Sequence, residues 1–307
     1  MHICIFGAGG LGGFFGALLA DAGERVSFIA RGAHLKAMRR DGLRVRTALG
    51  DRCISPVTAT DDPASIGPAD VVLMCVKTYD LDQAAAGCRA LMHDTTAVIP
   101  VLNGVEAPAR LGELLGERHI VPGLTYVPSN VTAPGEITHK GSAASITLGQ
   151  ARKGVTPTLD AFVPACGRAG IDARVTDNAV REMWMKFAAW SASSGTTTLS
   201  RQPIGEVRRI PELRELFQNI VDEAAAVSAA AGVPLPEDRT ANLIASLDTM
   251  PTDARSSTLV DLENGRRLEL EAGIGCIVRL GREHGIDTPV CRTIYAALLP
   301  YRDGAPG

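Results

Sequence analysis

The chain contains no CxxC pair and no Cys/His cluster, although it holds seven cysteines and six histidines. An odd, unpatterned set of cysteines argues against a disulfide framework and against a zinc site, and it suits a reducing compartment. Cys4, Cys75 and Cys276 fall in apolar runs, where a thiol behaves as a small hydrophobe. No apolar run nears the length needed to span a bilayer. A large excess of one charge is missing too. The formal net charge of −3 gives no general electrostatic reason to bind nucleic acid or an anionic membrane. Arg39–Arg40 and Arg208–Arg209 are too short as basic runs to change that, and they read as solvated helix faces. No repeat period occurs, and the only biased segment is the helix-favouring "DEAAAVSAAAG". With a strand-like run starting at His2, these absences predict a cytoplasmic protein without a leader, a metal or a nucleic-acid partner.

What is present is an ordinary globular composition, 46% hydrophobic and 21% charged, over 307 residues, a length comfortable for two domains. "HICIF" (2–6) is a short β-rich run, and "LGGFFGALLADAG" reads as a helix closed by Gly23. Between them stands Gly7-Ala8-Gly9-Gly10-Leu11-Gly12, a G-x-G-x-x-G with a strand before it and a helix after it. In that context the first glycine permits a tight turn, the second lets backbone approach a pyrophosphate, and the third lets helix pack on strand. The free N–H groups and partial positive charge of the helix N-terminus complete a dinucleotide site.

"RVSFIA" (25–30) is the second strand, followed by Arg31. NAD-binding folds usually place an acid about twenty residues beyond the glycines, whereas an arginine there accommodates a 2′-phosphate. No Asp or Glu adjoins Arg31, so the cofactor expected is NADP(H). "VVLMCV" (71–76) has the continuous apolar character of a parallel strand covered on both faces, and Lys77 falls at its C-terminal end, where open α/β sheets bind ligands. "TAVIPVLNGVE" repeats the arrangement with Asn103-Gly104, which is either a plain turn or a second polar strand end facing a ligand. Strand-like pieces and a helix-like stretch around 158–169 are expected to complete the sheet between His119 and Val175.

After Thr176-Asp177-Asn178 the pattern turns helical, with periodic segments at 179–194, 205–231, 237–247, 257–263, 268–284 and 291–301. The expected architecture is α/β: an N-terminal Rossmann-type doubly wound sheet (1–177) followed by an all-helical C-terminal domain (178–307), with a ligand cleft between them. Lys186 is the only charge in "WMKFAAWSASSG". It either snorkels to water or is held indoors as a proton donor for a ketone oxygen, with Glu263, Glu269 or Glu271 as its acidic neighbour.

In its order of motifs the chain resembles the ketopantoate reductases (2-dehydropantoate 2-reductases). The residues that carry the resemblance are the glycine loop, "ARG" with Arg31, "CVKTYD" with Lys77, "NGVE" with Asn103, "MWMKF" with Lys186, "SSTLVDLENGRRLELE" with Ser257 and Glu269, and "REHGIDTP". The resemblance implies NADPH-dependent reduction of 2-dehydropantoate to pantoate in pantothenate synthesis. It implies Lys186 as proton donor, Glu269 as its partner at the cleft, and cofactor contacts from Arg31, Lys77, Asn103 and Glu269. Asn103, Lys186 and Ser257 would serve the substrate. In the family the fourth and eighth positions beyond the lysine often hold asparagine, and here they are Trp190 and Ser194. That departure points to another small branched 2-oxo acid as the alternative substrate, and a noncatalytic NADP-binding sensor is the reading outside enzymes. The helical domain can dimerise or stay monomeric, so a homodimer is a possible assembly.

Overall fold

Strand β1 (His2–Phe6) is buried at every position, as a run covered on both faces must be. Helix α1 (Gly10–Asp21) crosses over to β2 (Arg25–Ile29), which pairs with β1 in parallel. Helix α2 (Gly32–Asp41) leads to the antiparallel pair β3 (Leu43–Arg46) and β4 (Arg52–Ile54), and then β5 (Thr58–Thr60) returns to β2. Strand β6 (Val71–Met74) joins β1 on its other side, and α3 (Leu81–Cys88) crosses to β7 (Ala97–Pro100). The sheet runs β5–β2–β1–β6–β7 with every pair parallel, the doubly wound order of a Rossmann-type domain. This computed structural model describes residues 1–48, 50–141 and 144–304.

The pieces between His119 and Val175 do not complete that sheet. After α4 (Ala107–Leu115) the chain only brushes β7, through an isolated bridge from Ile120 to Val98. Strand β8 (Gly123–Leu124) then pairs with β11 (Ser145–Gly149), and β11 with β12 (Asp172–Thr176), which follows α5 (Thr156–Arg168). The hairpin of β9 (Ser129–Ala133) and β10 (Glu136–His139) joins the first antiparallel pair in the order β4–β3–β10–β9. The burial of β3 and β10 alternates, so each shows one dry face and one wetter one, unlike a central parallel strand. Their dry face, with Leu43, Val45 and Ile137, joins the core that α1 also enters. The glycines of α1 make this double contact possible: a β-carbon on Gly16 would lie 2.3 Å from the Phe28 ring, and one on Gly13 would lie 2.0 Å from Ile137 Cδ1.

By its contacts the chain divides into one unit of Met1–Leu102 with Glu106–Ala179, and a second of Val180–Gly307 joined by the short segment Asn103–Val105. The helices that follow β12 are α6 (Ala179–Ser200), α7 (Ile204–Arg209), α8 (Pro211–Ala230), α9 (Arg239–Thr249), α10 (Ser257–Glu263), α11 (Ile274–His284) and α12 (Pro289–Leu298). Two expected helices differ. The segment 205–231 is broken at Ile210, whose extended backbone precedes Pro211 in the first turn of α8. Residue 268 is irregular and 269–273 form a turn ahead of α11, because Gly273 takes φ −102°, ψ −111°, outside the helical region. Glu269 is therefore on a turn, not on a helix. The core of the second unit gathers Phe187, Phe217, Ile220, Ile277 and Ile294, with Val105 packed at its edge.

Candidate active site

The site residues fall into two sets, one in each unit. In the first unit, the glycine loop hangs from the end of β2: the N–H groups of Gly7 and Ala8 both donate to the Ile29 carbonyl, at 3.2 and 2.9 Å. Gly7 has φ +100°, and a β-carbon there would stand 3.0 Å from the Cys75 backbone, so only glycine serves. A β-carbon on Gly12 would be 2.2 Å from the Gly7 carbonyl oxygen, so α1 sits directly on its strand. Gly9 differs from both. A β-carbon there meets nothing within 4 Å, and its backbone is extended at φ −71°, ψ −162°. The fold itself has no need of glycine at position 9, whereas a pyrophosphate lying against the backbone does. The loop and the first turn of α1 fit a dinucleotide.

Arg31 is the N-cap residue of α2; it is exposed and makes no ion pair with a described residue. Lys77, half-buried, starts a turn of 3₁₀ helix at Thr78–Asp80, just beyond β6. Both stand at the C-terminal ends of parallel strands, the side of such sheets that binds ligands.

In the second unit, Asn103 accompanies Lys186, Trp190, Ser194, Ser257 and Glu269. Gly104, at φ +90°, lies so close to the Glu269–Gly273 turn that a β-carbon would be 3.3 Å from the Ala272 carbonyl oxygen. Lys186 is half-buried on α6. Burial lowers its pKa to about 8, and the charge of Glu269 opposes that shift. Glu269 itself is buried, 6% exposed. An amine depleted of water beside a buried carboxylate can give up a proton near neutral pH.

One turn further along α6, Trp190 and Ser194 line a small pocket with Thr258, Glu269, Gly273 and Leu298. The indole edge packs on Gly273, where a β-carbon would be 3.2 Å from Cζ3 and Cη2. Trp190 Nε1 and Ser194 Oγ are buried and have no hydrogen-bond partner among the described residues. Buried polar atoms are normally paired, so two residues of this pocket carry unsatisfied buried donors. Ser257 is exposed in the first turn of α10, while its neighbour Thr258 is buried and faces the pocket. The helix is capped by Ser256, whose Oγ accepts the Leu259 N–H at 3.0 Å. The sequence does not single out Thr258, whose motif points to its neighbour Ser257, or Gly273. A half-turn of register on α10, counted from its Ser256 cap, was the signal available for Thr258.

Among the described residues no group of three or more His, Cys, Asp or Glu could hold a metal ion, and no helix is long and apolar enough to cross a membrane.

A parallel doubly wound sheet with this glycine cradle, next in sequence to a helical unit that desolvates a lysine, defines a dinucleotide-dependent oxidoreductase. Residues 3–153 match the family described as ketopantoate reductase PanE/ApbA, and residues 178–302 match its C-terminal part. The 2-dehydropantoate 2-reductase of Archaeoglobus fulgidus is 32% identical over 293 residues, covering 95% of each chain. That of Halobacterium salinarum is 29% identical over 308 residues, 99% of this chain and 100% of the other. Among solved structures, a PanE/ApbA family ketopantoate reductase from Ralstonia eutropha has a TM-score of 0.90 at 30% identity, covering 98% of both chains. A D-mandelate dehydrogenase solved with NADH and anilino(oxo)acetate shares the fold, with a TM-score of 0.89 at 20% identity and 98% of both chains covered. The chain belongs to the ketopantoate reductase PanE/ApbA family. It is an oxidoreductase acting on CH–OH groups with a nicotinamide cofactor.

Proposed function

We propose that the chain reduces 2-dehydropantoate to pantoate with NADPH. The observation that carries this reading is the Lys186 amine, lowered to about 8 by burial and opposed by Glu269. Reduction of a ketone needs two things, a hydride at carbon and a proton at oxygen. NADPH supplies the hydride when bound. Gly7 to Gly12 cradle its pyrophosphate through backbone N–H groups, Arg31 pairs with the 2′-phosphate, and Lys77 and Asn103 serve its nicotinamide half.

Lys186 holds the proton at Nζ and releases it to the carbonyl oxygen as negative charge develops there. Glu269 orients the ammonium and keeps it protonated at neutral pH. The neutral amine left behind recovers its proton from water. Trp190 and Ser194 point donors at the substrate's polar groups, and Asn103 and Ser257 add further hydrogen bonds. The seven free thiols support a cytoplasmic setting. A homodimer is the assembly this reading allows, and sedimentation velocity decides it.

A second reading, favoured by the bulk of Trp190 against Gly273, is reduction of a different small branched 2-oxo acid. The experiment is a panel of 2-oxo acids run with NADPH and NADH side by side and followed at the reduced-nicotinamide absorbance. NADPH oxidation fastest with 2-dehydropantoate supports the first reading, and a preference for another acid replaces it with the second. Faster turnover with NADH removes the assignment of Arg31.

A further inference from the structure

His34 is in the first turn of α2, one turn beyond Arg31, and it is half-buried. Its Nδ1 accepts the Gly135 N–H at 3.0 Å, so the proton of the neutral ring is on Nε2. Nε2 is buried and has no well-formed hydrogen bond to a described residue. The backbone group that acts on the ring is the Ala8 carbonyl, in the glycine loop, while burial holds the imidazole below its ordinary pKa and so keeps it neutral. Ala8 thus has its N–H bonded to the Ile29 carbonyl of β2 and its own carbonyl close enough to act on the His34 ring.

The hairpin that supplies Gly135 backs the same loop at its other end. A β-carbon on Gly10 would be 2.3 Å from the Ser129 carbonyl oxygen, at the start of β9. A β-carbon on Gly135 would be 3.1 Å from Ala37 Cβ in α2. The imidazole stands where three segments meet: the glycine loop, the helix turn that carries Arg31, and the hairpin, to which it is hydrogen-bonded.

We infer that His34 is a positioning residue for the dinucleotide, holding the glycine loop and Arg31 at the spacing that one molecule of NADPH spans. The inference rests on the NADPH reading above. His34 need not touch the cofactor: it fixes the distance between the two phosphate sites, so its loss penalises a dinucleotide gripped at both more than one gripped at the pyrophosphate alone.

The test is a fluorescence titration of the full-length protein and its variants with NADPH and with NADH, without turnover. His34→Ala is expected to weaken NADPH by about tenfold to a hundredfold, the loss usual for stranded buried partners, and NADH by several-fold less. His34→Leu, which fills the space and cannot accept the Gly135 N–H, gives the same pattern and serves if the alanine variant does not fold. His34→Gln has an amide oxygen for Gly135 and an amide N–H for Ala8, and it keeps NADPH affinity within about threefold of wild type, a rescue that lost packing alone would not produce. NADPH affinity unchanged in a folded alanine or leucine variant overturns the inference. So does a glutamine variant as weak as alanine, or an equal loss for both dinucleotides. The wild-type preference for NADPH over NADH judges the cofactor reading separately, because the inference is read from variant-to-wild-type ratios.

Discussion

Glu269 opposes the desolvation of Lys186: one buried carboxylate raises the pKa of an amine that burial would otherwise carry still lower. The two come from distant parts of the chain, the middle of α6 and the turn before α11. Their balance leaves the lysine near 8, where it is mostly protonated at neutral pH yet a better proton donor than a solvated ammonium.

The first prediction concerns the pH profile. A general acid must be protonated, so reduction runs at full rate below the lysine's pKa and falls about tenfold per pH unit above it. The rate of 2-oxo acid reduction at saturating NADPH should show an alkaline limb near pH 8. Glu269→Gln removes the charge that holds the proton, and the limb moves to lower pH. Lys186→Ala cuts turnover by roughly two to four powers of ten with little change in NADPH affinity. An alkaline limb unmoved in Glu269→Gln would separate the carboxylate from the lysine's chemistry.

A second prediction follows from the same burial. The folded pKa of Lys186 is below its unfolded value of 10.5, so the unfolded chain binds the extra proton between about 8 and 10.5. Stability contributed by this group therefore rises with pH across that window and is lowest below it. Lys186→Met should be more stable than wild type at pH 7, by roughly 3 kcal/mol at most from the difference between the two pKa values. The advantage should shrink as pH rises to 10. Urea denaturation at pH 7 and at pH 10 measures both numbers. A methionine variant less stable than wild type at pH 7 would mean that the ammonium is better solvated than its burial implies.

The glycine loop gives a pair of substitutions with opposite signatures. Gly12→Ala places a β-carbon 2.2 Å from the Gly7 carbonyl oxygen and should cost about 2–4 kcal/mol of stability. Gly9→Ala meets no protein atom and has an ordinary backbone conformation, so its melting temperature should match or exceed that of wild type. Its NADPH affinity should nevertheless fall by more than tenfold if the pyrophosphate lies against this loop as proposed, because the methyl group would then take its place. Thermal melts and cofactor titrations of the two proteins distinguish fold from site.

These contrasts mark how far the sequence could be read. The parallel strands around β1 were legible because a strand buried on both faces is continuously apolar, and the glycine spacing fixed the turn between β1 and α1. The second sheet was not legible. Strands β3 and β4 are short and built on arginine-containing segments, and although they pair with each other locally, the other partner of β3 is β10, about ninety residues away, as Arg44 and Glu136 show. No local pattern announces such a pairing. At the site, Lys186 stood out as a lone charge in an apolar helix. Thr258 was hidden because its neighbour Ser257 carries the family resemblance, yet the capping of α10 by Ser256 turns Thr258 inward.

The last prediction concerns what the pocket selects. Trp190 Nε1 and Ser194 Oγ are buried donors one helical turn apart, and neither has a partner among the described residues. If a substrate acceptor satisfies them, Trp190→Phe and Ser194→Ala should each raise KM by about fivefold to twentyfold, the value of one hydrogen bond to a polar or charged group. Turnover should stay within about threefold, because neither residue moves the proton. Removing a stranded hydroxyl should leave Ser194→Ala as stable as wild type or slightly more so, whereas Trp190→Phe loses the ring edge that packs on Gly273 and should be somewhat less stable. The alkaline limb of the pH profile should remain where Lys186 puts it in both variants. An unchanged KM in both would mean that the acceptor is elsewhere, and that the indole limits the size of the acid without gripping it.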